Sequence, residues 1–367
     1  MRAKEINCQY LIVGQGIAGT TLAYSLLKRK QNIYVIDDGY QHSSSKVAVG
    51  MFNPITGKRV VKTWKADVLF PFLHHFYQEL ENFLGVKFFF PKTIYRPFES
   101  IEQQNHVLGQ AAEQAFKDFI EIENKDEKYK GFVFNEFGGA ELKQGGYLAV
   151  NTMLEAFQDF LKKEQLFLQA NFNENDLNIQ HQDSLTWENA QTGLKIKTKK
   201  VIFCRGIKDR ESRFWKDLPF RAVKGEVLTG HFQSQLAFEE IINRSGWVIP
   251  FGNNTYKAGS TYDWDDTSLE ITEKAKNEIL DKVNKLIKFP FTCTHQEVGL
   301  RPTTTDRRPL IGLHPVYANV GLFNGLGTKG VMLAPYFANA FCNYLVEEKT
   351  LEAEVSVLRF LGTGSKN

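Results

Sequence analysis

Four residues near the start of the chain have types and a spacing that suit one task. Gly14, Gly16 and Gly19 make a G-x-G-x-x-G turn, and Asp37 stands 18 residues beyond the last of them. Gly14 permits a tight turn, Gly16 lets backbone approach a pyrophosphate, and Gly19 lets a helix pack close to a sheet. A diphosphate set against the helix that begins at Ile17 and Ala18 meets free N–H groups and the positive end of the dipole. The Asp37 carboxylate, with Asp38 beside it, suits the two hydroxyls of an adenosine ribose and repels a 2′-phosphate. The expected ligand is therefore FAD or NAD rather than NADP. The bland alternative is an ordinary βαβ turn, because a lone G-x-G-x-x-G is a weak sign.

The elements around these residues agree with the chemical reading. An apolar run at residues 10–13 precedes the turn, a helical stretch follows it, and Ile33-Tyr34-Val35-Ile36-Asp37 closes a strand, glycine turn, helix, strand and acid in the required order. Lys30 occupies the place where a helix-terminating glycine is common, which leaves Asn32 as the expected left-handed residue. Residues 40–63 read as a loop in which Ser44 and Ser45 bond phosphate and residues 50–53, with Gly50 and Met51, run beside a flavin ring; a solvated surface loop is the alternative. Lys58 and Arg59 read as solvated surface. A helix over 64–84 is expected to bury Val68, Phe72, Phe76, Leu80 and Leu84. His74 and His75 on it lie ~100° apart and cannot share a metal ion.

Residues 86–144 change character, with short strands and one helix that opens on a Ser100/Gln103 capping box and carries Ile101, Leu108, Ala112, Ala115 and Phe119. A further helix bears Met153, Leu154, Phe157, Phe160 and Leu161. The run at 200–206, ending in Gly206, reads as a return to the nucleotide-binding sheet. After Phe220 a second block of short strands appears, interrupted by a helix with Ala275, Ile279, Val283, Leu286 and Ile287. The last quarter holds the stretch 298–312, a strand at 320–323, and Gly325, Gly327, Thr328, Lys329 and Gly330 opening a final helix that Pro335 is expected to kink. The expected architecture is α/β: a discontinuous Rossmann-like FAD-binding domain (1–85, 144–218, 303–367) and a substrate domain with a mostly antiparallel β-sheet flanked by helices (86–143, 219–302). Residues 362–367 read as a disordered tail.

At 367 residues, with 43% hydrophobic and 24% charged content, the chain has room for two domains with a substantial core. A net charge of +3 without a basic block gives no reason to propose nucleic acid or an anionic membrane. No apolar run approaches a membrane span and no signal-peptide core precedes the first strand, so the expected compartment is the cytoplasm. Cys8, Cys204, Cys293 and Cys342 are scattered without a C-x-x-C pair. They read as free thiols, with no metal site expected.

Several motifs in order carry a family resemblance. They are the glycine turn with its acid, the Ser-Ser and Gly-Met-Phe-Asn-Pro loop, Trp-Val-Ile-Pro with Ala-Gly-Ser-Thr, Gly-Leu-Arg-Pro-x-Thr-x-Asp-x-x-Pro-x-Ile-Gly, and Gly-Leu-Gly-Thr-Lys-Gly. Together they resemble the D-amino-acid oxidase superfamily of FAD-dependent oxidoreductases over nearly the whole chain. Its members include glycine and sarcosine oxidases and the flavin domain of the bifunctional enzyme that modifies the tRNA wobble uridine. The closing Gly-Leu-Gly-Thr-Lys-Gly-Val-Met-Leu-Ala-Pro is especially similar to that flavin domain.

The resemblance implies non-covalent FAD and hydride transfer to flavin N5 from the carbon next to an amine. The amine lone pair expels the hydride, so no dedicated base is required. Negative charge then grows at flavin N1 and the C2 carbonyl, where the helix starting at 328–330 would aim its N–H groups with Lys329 as an added cation. Arg301 matches the arginine that pairs with a substrate carboxylate in glycine-oxidase-like members; pairing with an interdomain acid is the alternative. Some relatives place a second arginine where this chain has Thr328. Lys257 resembles the sarcosine oxidase lysine that promotes oxygen reduction, an exposed strand lysine being the alternative. Tyr95, Tyr147, Trp247, Tyr262 and Trp264 are candidate pocket walls. The implied reaction is oxidation of a primary or secondary amine, an amino acid or N-substituted glycine, with oxygen as acceptor. A dehydrogenase using a quinone or carrier, a tRNA-modifying oxidoreductase acting on a carboxymethylaminomethyl group, and a flavin-binding subunit inert without a partner stay open, as does the oligomeric state.

Overall fold

The computed structural model describes residues 5–361 apart from 41, 58, 123–125, 182–183, 190–191 and 235; Lys58 and the tail at 362–367 lie outside the described residues. The opening strand Glu5–Val13 runs parallel to Ile33–Asp37 on one side and to Lys195–Phe203 on the other, and Phe167–Gln169 extends the sheet beyond Ile33–Asp37. Lys195–Phe203 divides its outer edge. Its first half pairs antiparallel with Ser184–Glu188 and its second half parallel with Val320–Asn324. Strands buried on both faces read as continuous apolar runs, which is why residues 10–13, 33–36 and 201–203 lack alternation.

The helix Ile17–Lys28 lies against the closing helix Gly330–Glu347 on one face of this sheet. Leu22, Leu26, Phe337 and Phe341 share one apolar cluster there. The other face is covered by Phe172, Trp187, Phe214 and Trp215. A small antiparallel sheet joins Met51–Phe52, Gly146–Leu148 and Phe89–Pro91.

The second large sheet is mostly antiparallel. Its order is Phe291–Thr304, Phe220–Phe232, Tyr256–Gly259, Trp247–Pro250, Ile241–Asn243, Ile94–Pro97, Gly139–Leu142 and Ile120–Glu121, with one parallel pairing at Ile94–Pro97. Two long strands form its edge, Phe220–Phe232 against Phe291–Thr304, paired from Phe220 opposite Thr304 to Phe232 opposite Phe291 with a register shift between Thr229 and Gly230. The helix Glu273–Asn284 covers one face of the sheet through Ala275, Ile279 and Val283, and its N-cap Thr272 accepts from the Ala275 N–H at 3.1 Å.

Three local expectations need correction. Lys30 itself takes the left-handed conformation (φ 56°), while Asn32 is tied to the opening strand by its side chain, which donates to Asn7 O at 3.1 Å. The helix Ala66–Leu84 buries Leu69, Phe70, Leu73, Phe76, Tyr77 and Leu80 and leaves Val68 exposed, so the inward face is rotated from the one expected. The capping box at Ser100 forms, but that helix ends at Ala112, before Ala115 and Phe119, and exposes Ile101 and Leu108. Pro335 lies inside the closing helix. It removes the N–H that would bond to Val331 O, and the buried Tyr77 hydroxyl donates to that carbonyl instead, at 2.9 Å.

Candidate functional site

A cleft of about 630 Å³ opens between the carboxyl ends of the first sheet's strands and one face of the second sheet. At one end of the cleft the glycine turn has the tight geometry that its spacing predicts. Gly14 sits at φ +101°, where a Cβ would come within 2.6 Å of Cys204 O. A Cβ on Gly19 would fall 1.8 Å from Gly14 O, so only glycine lets the helix start this close. Gly16 is the N-cap of Ile17–Lys28 with no side-chain cap; the Ile17 N–H donates to Ser45 Oγ at 3.1 Å, and Ala18 completes this wall of the cleft.

Asp37 ends its strand at the cleft. Its Oδ2 accepts from the Gln15 N–H and its Oδ1 from the Gly39 N–H, both at 2.7 Å, which fixes the carboxylate at the cleft wall. Asp38 pairs with Lys208. Burial works against its charged form, but the Lys208 ammonium and the Tyr40 N–H outweigh that and hold its pKa below the usual carboxylate value. Ser44 and Ser45 line the cleft on the short helix Ser44–Val47, followed by Gly50 and Met51. Gly50 has φ +78°, and a Cβ there would meet Leu148 O at 2.0 Å. Gly206 lines the same wall and accepts from Asn324 Nδ2 at 2.8 Å. Arg205, bonded to Glu174 and Asp209, and Asn324, bonded to Asp209 at 2.7 Å, fix this corner. None of these supporting residues was singled out from sequence.

At the far end the closing helix begins without a side-chain cap, and Gly327, Thr328, Gly330 and Val331 face the cleft. Gly325 turns the chain into this segment at φ +72°. Lys329 is not among the residues that line the cleft. Burial, then the neighbouring Arg308 and Arg307, lower its pKa. The uncapped helix start, rather than the Lys329 side chain, is what this end presents.

The facing wall comes from the two long strands. Gly225 and Gly299 stand opposite each other, with Val227, Glu297 and Arg301 on the same side. Arg301 Nη1 donates to Thr261 O at 3.1 Å and to Lys224 O at 3.4 Å, and the guanidinium lies 4.5 Å from the Tyr262 ring centroid. A Cβ on Gly225 would lie 2.1 Å from Arg301 Nη2, so the glycine makes room for the cation. No carboxylate pairs with Arg301 among the described residues, and burial lowers its pKa from the ordinary arginine value. The alternative of an interdomain acid is not what the geometry shows.

Lys257 faces the cleft side of its strand but donates to Glu297 Oε2 at 2.9 Å, and Glu297 rather than Lys257 lines the cleft. Alternation from Arg301 through Gly299 points to Glu297, a signal the sequence carries once the strand is known to begin before Val298. Of the candidate aromatic walls, Trp247 and Tyr262 line the cleft, Tyr95 and Tyr147 are buried in the core, and Trp264 is exposed. The four cysteines are free, and no cluster with metal-ligand geometry occurs among the described residues.

Residues 9–343 match the family model described as FAD dependent oxidoreductase. The chain belongs to that family. FAD is its cofactor, and the glycine cradle, the Asp37 carboxylate and the uncapped closing helix fit it. Among relatives, the chain is 23% identical to the tRNA 5-methylaminomethyl-2-thiouridine biosynthesis bifunctional protein of Leptospira interrogans; the match covers 95% of the chain and 59% of the relative, so the chain spans little more than half of that protein. Among solved structures, the fold is that of glycine oxidase from Bacillus cereus (TM-score 0.77, 18% identity, 94% of this chain and 96% of that one). It is also that of L-proline dehydrogenase from P. horikoshii (TM-score 0.78, 14% identity, 97% of each chain). No helix among the described residues is long and apolar enough to cross a membrane.

Proposed function

We propose that this FAD dependent oxidoreductase oxidises a primary or secondary amine that carries a carboxylate, an amino acid or an N-substituted glycine, to an imine that then hydrolyses. The observation that carries the reading is Arg301: a guanidinium on the cleft wall, desolvated, stacked on Tyr262, with its charge unmatched by any described carboxylate. A planar fork in such a place suits a bidentate carboxylate from the substrate. When bound, FAD supplies the hydride acceptor. The turn at Gly14, Gly16, Ile17, Ala18 and Gly19 would hold its diphosphate and Asp37 its ribose, while the helix start at Thr328 and Gly330 would meet the charge that reduction creates. Trp247 and Tyr262 line the cleft, and a substrate reacting as free amine needs no basic side chain.

Arg301→Gln tests the assignment. The expected result is a rise in KM for carboxylate-bearing amines of about 10- to 100-fold with flavin content intact. An unchanged KM would remove Arg301 from substrate binding.

A second reading has one observation in its favour. The curated relative named above is, by its name, a tRNA biosynthesis protein, and a carboxymethylaminomethyl group is itself an N-substituted glycine. A net charge of +3 gives it little electrostatic support. Salt-dependent binding of tRNA by the purified chain would favour it, and its absence at low salt would count against it.

A further inference from the structure

The pair Lys257–Glu297 crosses the strand Phe220–Phe232 on its cleft side. Lys257 stands opposite Thr229 on one flank, and Glu297 opposite Val227 on the other. Tyr256 and Ala258 pack into the core with Ile279 and Val283, so strand alternation turns Lys257 to the face that carries Val227, Gly225 and Arg301. The ammonium meets the carboxylate at 2.9 Å, with both side chains 22% exposed, and Glu297 has no other described side-chain partner. The member of the pair that reaches the cleft is the acid.

We propose that Glu297 is a positioning residue that holds Lys257 and cancels its charge, so that this cation does not promote the passage of electrons from this chain's FAD to oxygen. The first electron given to oxygen makes superoxide, an anion, and a free cation close by stabilises it. A cation paired across 2.9 Å leaves only a dipole, here with its negative end toward the cleft. Oxidation of the amine releases two electrons and a proton as hydride and a second proton to solvent. Oxygen takes two electrons and two protons to become hydrogen peroxide. Arg301, the other cation on this wall, is the group whose charge a substrate carboxylate would match, and it contributes equally to every variant below.

The inference rests on bound FAD but not on the identity of the amine, because the flavin can be reduced by light in the absence of substrate. Holoprotein is photoreduced anaerobically and mixed with oxygen. Wild type, Glu297→Gln and the charge-neutral double variant Lys257→Met/Glu297→Gln are compared. Flavin midpoint potential and affinity for sulfite, which adds to electron-poor flavin, are read alongside. Freed of its partner in Glu297→Gln, Lys257 should speed reoxidation by oxygen about tenfold or more, raise the potential and tighten sulfite binding, and Glu297→Asp should restore wild-type values. The double variant should match wild type with oxygen. Oxygen reactivity about tenfold lower in the double variant would show that Lys257 already serves oxygen in the wild type and overturn the proposal. So would a Glu297→Gln protein unchanged in all three readings. If Glu297→Gln alone fails to hold flavin, the comparison of wild type with the double variant decides by itself.

Discussion

At the scale of single residues, the site is defined by groups whose surroundings leave something unmet. Arg301 is partly buried with no counter-ion among the described residues, the amides at the start of Gly330–Glu347 have no side-chain cap, and the Gly14 carbonyl leaves no room for a side chain at position 19. Gly14→Ala is the sharpest test of the nucleotide end. A Cβ at φ +101°, 2.6 Å from Cys204 O, must displace backbone, at a cost of at least about 1–3 kcal/mol. The expected outcome is a lower thermal midpoint and protein that elutes without flavin absorbance; full flavin occupancy would contradict the cradle assigned to this turn. The placement of motif residues such as Gly14, Asp37 and Arg301 at the cleft was legible because each was read from its own local backbone or its own charge. Glu297 was not, because its meaning comes from Lys257, which lies on the far side of an intervening strand.

At the scale of elements, the closing helix shows how a tertiary contact takes up a group that local sequence leaves unmet. Pro335 sits well inside Gly330–Glu347, and the Tyr77 hydroxyl from Ala66–Leu84 takes up the Val331 carbonyl that Pro335 leaves free. Tyr77→Phe should therefore cost about 1–3 kcal/mol in urea unfolding, since it orphans a buried carbonyl. In a Pro335→Ala background the helix regains its own N–H, and the same substitution should cost about 1 kcal/mol less. Equal costs in both backgrounds would show that the two residues are uncoupled. Periodicity placed Ala66–Leu84 on the chain, but not which face turns inward. Val68 and Leu69 are both apolar, and only the packing partner decides that Leu69 is buried. The left-handed residue after Ile17–Lys28 is Lys30 for a similar reason, because Asn32 is occupied by the neighbouring strand.

At the scale of the whole molecule, two partly buried histidines link stability to pH. Burial lowers the pKa of His74, whose ring contacts Gln144 O at 3.2 Å, and of His314, whose Nδ1 accepts from the Val316 and Tyr317 N–H groups. The unfolded chain therefore binds more protons near pH 6.5, so stability is fully present above that value and is lost as pH falls below it. Replacing both with glutamine should flatten the fall in thermal midpoint between about pH 7.5 and 5.5; an unchanged slope would assign it to other groups. The arrangement of two large sheets around one cleft was legible from the order of motifs. The division of Lys195–Phe203 between two neighbours, and the small sheet joining Met51–Phe52 to Phe89–Pro91, were not, because two- or three-residue pairings carry no periodic signal. The central claim is that this cleft binds FAD and that Arg301 receives the carboxylate of an amine. Its most direct test is anaerobic bleaching of the flavin band by N-carboxymethyl amines and by their carboxamide counterparts. The account predicts bleaching by the carboxylates and little or none by the amides; equal bleaching by both, or none by any amine, would contradict it.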